Sequence, residues 1–284
     1  MNERESITDH HVHLWRHREP TPPPTVDRLA ALVETTPVDH IVITEHFYRF
    51  HQARTVLGEF WKRDRDDSLR AATARVVDAE QTADLDAYVD GIRRAHSAGL
   101  SVSLGVELDY VPDAGQAIRS CINAYGFDVV LGSVHWIGAW LFDAYDDPTF
   151  RAEWKRRGVV GAWGDYVSAF EGLCDDGWCD VVAHCDLIKV AGFTPLDRTP
   201  WEDRLVAAAT GAGVAVEVSS AGWRKAIAEP YPSQRMLERF AARGAPVVLG
   251  SDAHQPSLVG DRFDELVAHL ADAGGRVAAG TPGA

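Results

Sequence analysis

Residues 7–14 read ITDHHVHL. In a strand, residues two apart share a face. His11 and His13 then project side by side, as two ligands of one metal ion must, while His10 points the other way. The plainer reading is a polar strand end carrying surface histidines. Eight residues do not choose between the two, so the decision falls to what the chain repeats further on.

Six more β-rich runs follow: HIVITEH (40–46), LSVSLGVEL (100–108), DVVLGSVHW (128–136), DVVAHCDLI (180–188), GVAVEVSS (213–220) and PVVLGSDAH (246–254). Helical segments separate them. One is ADLDAYVDGIRRAHSAG (83–99), in which Leu85, Tyr88, Ile92 and Ala95 share a face. Another is FDELVAHLADAG (263–274), which closes on glycines as a C-cap does. The TPPPT cluster at 21–25 reads as a loop before a helix starting near Val26, and the terminal GTPGA as a frayed end. Strand–helix–strand repetition implies parallel pairing with right-handed crossovers. Strands that are nearly continuous Val, Ile and Leu suit a sheet covered on both faces. Seven such units predict an α/β barrel or doubly wound sheet, organised as a single domain over residues 1–284 with its core at about 7–273.

Each run ends in chemistry. The first carries His11 and His13, the second Glu45 and His46, the third Glu107 and Asp109. The fourth ends in His135, the fifth in His184; the sixth carries Glu217 and Ser219, and the seventh ends in Asp252 and His254. In a parallel α/β fold all strand C-termini open on one rim, where active sites lie. Burying six histidines and two carboxylates there is costly unless something pairs them, and divalent cations would. Imidazole with carboxylate suits Zn, Mn or Fe better than Mg or Ca. The ligands His11, His13, His46, Glu107, His135, His184, Asp252 and His254 exceed what one ion can use, so a cluster of two or three ions is expected, with Glu107 as a bridge. His10, His40, His51, His96 and His269 fall outside the pattern and read as structural or surface residues.

Composition narrows the function classes. The 284 residues carry a net charge of −14, with a pI near 5.2, which disfavours a nucleic-acid partner. The polar opening MNERESITDH has no apolar segment of the secretory kind, and no run approaches the roughly 20 apolar residues of a membrane span. The four cysteines, Cys121, Cys174, Cys179 and Cys185, match no common zinc spacing and read as reduced thiols of a cytoplasmic protein. Cys185, beside His184, reads as a small core residue rather than a soft ligand. Oligomeric state is not written in the sequence.

The succession HVH, TEH, GVELDY, GSVH, AHCDL, EVSSAGWRK and GSDAH resembles the polymerase-and-histidinol-phosphatase (PHP) superfamily, and within it the histidinol-phosphatase branch. The resemblance implies a distorted seven-stranded (β/α) TIM-like barrel with a trinuclear site. His11, His13, Glu107 and Asp252 would hold one ion; Glu107, His135 and His184 a second; His46 and His254 a third, with one ligand from the loop after His13. Where many relatives place that last histidine, this chain has Glu19, with His17 close by. Either could serve. The substrate-contact segment resembles AGWRKAIAEPYPS (221–233), in which Arg224 would grip phosphate through its bidentate fork. Lys225, Arg49 and Lys189 are further cationic candidates, and Trp136, Trp140 and Trp223 candidate lining residues.

The implied activity is hydrolysis of a small phosphate monoester, L-histidinol phosphate first, by hydroxide held between the ions near Glu107 and attacking phosphorus in line with the ester oxygen. The leaving oxygen would be protonated by water, Asp252 or His254. The competing readings are a phosphatase for another small ester, an amidohydrolase-type metal hydrolase suggested by DHHVHLW, a nuclease of the same superfamily, and a metal-stabilised domain without turnover.

Overall fold

The computed structural model describes residues 6–278; the predicted fraying of GTPGA lies outside them. The seven runs form β1 (Thr8–Val12), β2 (His40–Ile43), β3 (Val102–Asp109), β4 (Val129–Ser133), β7 (Val181–Val182), β8 (Ala215–Ser219) and β9 (Val247–Gly250). Two short strands that were not anticipated, β5 (Trp136–Ile137) and β6 (Trp140–Leu141), make an antiparallel hairpin just after β4. The helices among the described residues are α1 (Val26–Thr35), α2 (Ala53–Val56), α3 (Asp67–Glu80), α4 (Leu85–Ser97), α5 (Gly115–Tyr125), α6 (Pro148–Asp176), α7 (Thr199–Ala212), α8 (Gln234–Ala242) and α9 (Phe263–Asp272). None is long and apolar enough to cross a membrane.

The helix starts follow from capping chemistry. Thr25 accepts from the Arg28 amide after the proline run, Asp66 from Ser68 and Leu69, and Asp84 from Ala87. Asp147 caps α6, with Pro148 in the first turn where its missing N–H is harmless. On α4 the predicted face is the buried one: Leu85, Tyr88, Ile92 and Ala95.

The seven strands pair in the order β1-β2-β3-β4-β7-β8-β9, all parallel. An open doubly wound sheet would stop there. Here the ends meet: Val12 bridges Ala253, with the His13 amide donating to Ala253 O at 2.8 Å. Asp9 stitches the same seam. Its buried carboxylate accepts from the amides of Ser251 and Gly260, both at 2.9 Å. The sheet is thus a nearly closed, distorted (β/α)7 barrel.

Alternation along the strands divides its interior into two layers. Val42, Val129, Leu131, Val181, Ala183, Ala215 and Val248 form a separate buried apolar cluster. Two residues further along the same inward registers come Thr44, Ser133, Glu217 and Gly250, and next to them on β1 and β3 His11, Glu107 and Asp109. The barrel floor is therefore hydrocarbon and its mouth polar, as strand parity requires once one end of every strand carries functional groups. The main apolar core lies outside the strands, under the helices.

Candidate metal centre

Eight of the nine predicted ligands meet at the C-terminal mouth. Four overlapping triads have ligand atoms within 4.8 Å of one another: His11, His13 and Asp252; His11, Glu107 and His184; His46, Glu107 and His135; and His13, His46 and His254. Glu107 lies at the centre. Its carboxylate is 3.0 Å from His184 Nε2, 3.5 Å from His11 Nε2, 3.6 Å from His135 Nε2 and 2.7 Å from His46 Nδ1. The ligands come from six strands, β1, β2, β3, β4, β7 and β9, each contributing at or just past its C-terminal end.

Two of the ligands sit on left-handed backbone, His184 (φ 26°) and Asp252 (φ 49°). Side chains other than glycine rarely adopt it without surrounding constraint. Both constraints are visible. The His184 amide donates to Glu217 Oε2 at 2.6 Å, and the Asp252 turn is held by Arg224, whose Nη2 donates to Ser251 O at 2.6 Å.

The donor set fits divalent cations. His11 Nδ1 donates to Glu217 Oε1 at 2.9 Å, which leaves Nε2 bearing a lone pair. That Nε2 lies 3.1 Å from His13 Nε2, whose other nitrogen faces Glu45 Oε2 at 3.6 Å. His46 and His254 likewise point Nε2 at Nε2, 3.3 Å apart. His46 Nδ1 and Glu107 Oε2 are 2.7 Å apart yet neither makes a hydrogen bond. Buried imidazole nitrogens and carboxylate oxygens converging at these distances form a donor set that a cation would satisfy. Burial opposes charge on His11, but Glu217, Glu107 and Asp252 outweigh it and hold its pKa well above the usual range. His135 is likewise pushed up to about 10: burial works against it, Asp109 and Glu107 for it. Burial would raise Glu107; His46, His11 and His135 hold it well below the ordinary carboxylate range. A metal ion would replace the protons these carboxylates otherwise attract.

The residues that orient the ligands were visible in the sequence only as strand-end carboxylates. Glu217 holds His11 and His184, Asp109 lies 2.7 Å from His135 Nδ1, and Glu45 faces His13 while accepting from the amides of Leu14 and Trp15. Such outer carboxylates set the tautomer and aim of ligating imidazoles. Gly250 makes the Glu217 position possible: a Cβ there would lie 1.9 Å from Glu217 Oε1. The parity of Glu107 with Asp109 was a signal for Asp109; nothing short of the folded barrel pairs Glu217 with His11.

Several expected roles need correction. Glu19 is not drawn in: its side chain is 54% exposed and faces Arg16 Nη1 at 3.8 Å. From the same loop His17 faces the centre instead, its ring 4.7 Å from that of His254 and 5.3 Å from that of His46. Three of the four predicted phosphate-binding cations are engaged elsewhere. Arg224 binds Asp261 at 2.9 Å and the 251–252 carbonyls, so it supports a ligand rather than facing substrate. Arg49 is fully buried, donating to Trp15 O and Arg16 O and pairing with Glu80 at 3.3 Å. Lys189 is fully buried against Asp186 (2.8 Å) and Pro230 O (2.7 Å). Lys225 alone of the four lines the cavity over the centre, a volume of about 750 Å³ that also exposes Arg18, Arg75, Tyr48, Asp143, Tyr145 and Trp136. Trp140 is buried in the core with Nε1 on Phe150 O, and Trp223 lies under Arg262, away from the mouth. Of the histidines set aside, His40 bonds Ser103 Oγ and His96 the Val102 carbonyl. All four cysteines are buried free thiols, with burial raising the pKa of each.

A seven-stranded parallel barrel with an imidazole–carboxylate cluster across its C-terminal mouth defines a class of metal-site (β/α) proteins. The chain belongs to the PHP domain family, whose model matches residues 9–221. It is 38% identical over 198 residues to a protein of Deinococcus radiodurans described as a probable histidinol-phosphatase, covering 69% of this chain and 74% of that protein. It is 25% identical over 210 residues to the histidinol-phosphatase of Bacillus subtilis, covering 65% and 76%. In fold it is similar to the histidinol phosphate phosphatase of Lactococcus lactis, solved with Zn, L-histidinol and phosphate. The TM-score is 0.69 at 16% identity, over 98% of this chain and 97% of that one. Family membership and seven strands leave the amidohydrolase-type reading without support.

Proposed function

We propose that the chain is a phosphoric monoester hydrolase that cleaves L-histidinol phosphate to L-histidinol and phosphate. The observation that carries this reading is the convergence of eight ligand side chains at one barrel mouth, beneath a cavity sized for a single small molecule. The histidinol-phosphatase relatives supply the substrate.

His11, His13, Glu107 and Asp252, then Glu107, His135 and His184, then His46 and His254 with His17, are the residues that would hold two or three Zn, Mn or Fe ions. Bound there, such ions lower the pKa of water toward neutrality and offset phosphoryl charge. Glu217, Asp109 and Glu45 keep the imidazoles aimed inward. The phosphoryl group enters above Glu107, with Lys225 on the cavity wall to receive a non-bridging oxygen. Water adds to phosphorus as the ester P–O bond breaks on the opposite side. Asp252 and His254 are both held in their deprotonated forms: burial opposes the Asp252 charge, but His11 and His13 outweigh it, while burial and His13 keep His254 neutral. With Asp252 and His254 both engaged as ligands, the leaving alkoxide would take its proton from solvent water.

The test is elemental analysis of the purified protein coupled to phosphate release from L-histidinol phosphate and from other small phosphate esters. Two or three equivalents of transition metal and release from histidinol phosphate support the reading. Metal without release from any ester refutes it; faster release from an unrelated small ester moves the substrate and keeps the chemistry.

A further inference from the structure

The cavity above the metal centre carries charge of both signs on its wall. The imidazoles His46, His135, His184 and His254 line it together with Lys225, Arg18 and Arg75. So does Asp143, which follows the β5–β6 hairpin and precedes α6. Asp143 Oδ1 is buried and has no hydrogen-bond partner, and among the described residues no cation pairs with this carboxylate within ion-pair distance. It belongs to none of the four ligand triads. A carboxylate oxygen left unmet inside a cavity is costly. Burial accordingly raises its pKa, against the pull of His135, Lys225 and His184. The same wall also carries carbon surface: Trp136, Leu141, Leu187 and Val190. A ligand that fits this lining brings an anionic group to the metal centre, apolar or aromatic surface to the carbon wall, and a cationic group to Asp143.

We infer that Asp143 is the specificity-determining residue of the site, receiving an ammonium or protonated imidazole on the alcohol portion of the phosphate ester. The inference deepens the phosphatase reading and rests on it for the position of the phosphate. Its chemistry is selective. A charge-assisted hydrogen bond from the substrate satisfies Oδ1, whereas an uncharged alcohol leaves it unmet, and sites of this kind reject ligands lacking the donor.

The experiment compares wild type with Asp143→Asn, which keeps shape and removes charge. Two readouts are used on metal-loaded protein. The first is the ratio of kcat/KM for L-histidinol phosphate to that for p-nitrophenyl phosphate, which has no cation. This ratio is expected to fall by about 10- to 100-fold in the variant, mainly through KM, with Asp143→Glu recovering part of it. The second is equilibrium binding of L-histidinol and of inorganic phosphate, each alone. The variant is expected to weaken L-histidinol far more than phosphate. An unchanged ratio, or equal weakening of both ligands, overturns the inference. If wild type releases phosphate from neither ester but binds L-histidinol in an Asp143-dependent way, the phosphatase reading fails while Asp143 keeps its role.

Discussion

Glu217→Gln is the most informative single change, because the carboxylate does something an amide cannot. Glu217 accepts two hydrogen bonds at once, from His11 Nδ1 at 2.9 Å and from the His184 amide at 2.6 Å, and it is fully buried. Glutamine offers one oxygen and one NH2 group. If the oxygen stays on the His184 amide, the NH2 faces His11 Nδ1, which must give up its proton and move it to Nε2. That nitrogen then has no lone pair for a metal. If the amide flips, two N–H donors collide at His184, on backbone already in the left-handed region. The first arrangement removes a metal ligand, and the second leaves a donor unmet at about 1–3 kcal/mol of stability. Loss of such an orienting group typically weakens metal binding about 10- to 100-fold, or about 1.4–2.8 kcal/mol. The assay is competitive chelator titration with zinc, alongside thermal unfolding of the metal-free and metal-loaded forms. Weaker zinc binding with a lower unfolding temperature in both forms is expected. Wild-type zinc affinity and stoichiometry in the variant would refute the argument that Glu217 sets the His11 tautomer.

Three further outcomes follow from the geometry. His17→Ala should lower the bound-metal stoichiometry, read by elemental analysis, while Glu19→Ala, altering an exposed side chain paired with Arg16, should leave it as in wild type. Arg224→Ala should reduce thermal stability by about 1–3 kcal/mol and lower kcat and metal content together, since it frees the Asp252 turn; a pure rise in KM for phosphate esters would instead restore a substrate-binding role. In the metal-free chain His135 is raised from 6.5 to about 10, so the stabilisation of its charged form is fully present below pH 6.5 and is lost as pH rises through 10. A metal must displace that proton, so zinc affinity should strengthen by at least about tenfold per pH unit from neutrality toward pH 10. Asp109→Asn should flatten that slope at a lower pH, and an identical profile in a pH-resolved chelator titration would count against the pairing.

Strand number, strand ends and the polar residues on them were legible in the sequence. Seven apolar runs can be counted along the chain, and a period of two assigns each side chain a face before any partner is known. His11 with His13 and Glu107 with Asp109 share a face by parity alone, and a parallel fold then gathers the strand ends on one rim. Closure of the sheet was implied by the family resemblance and was not legible in the strand pattern. It depends on Val12 meeting Ala253 and on the Asp9 carboxylate bonding amides at 251 and 260, contacts between opposite ends of the chain. Which charges face the cavity was equally out of reach. Arg49, Lys189, Arg224 and Lys225 have similar claims as residues, and only tertiary packing shows that three are engaged with carbonyls and carboxylates while Lys225, unpaired among the described residues, lines the cavity. The physical reason is common to all of these. Local pattern fixes the direction a side chain leaves the backbone, whereas its hydrogen-bond partner is whatever the fold brings opposite, and that partner decides whether a charge supports the barrel or acts on what enters it.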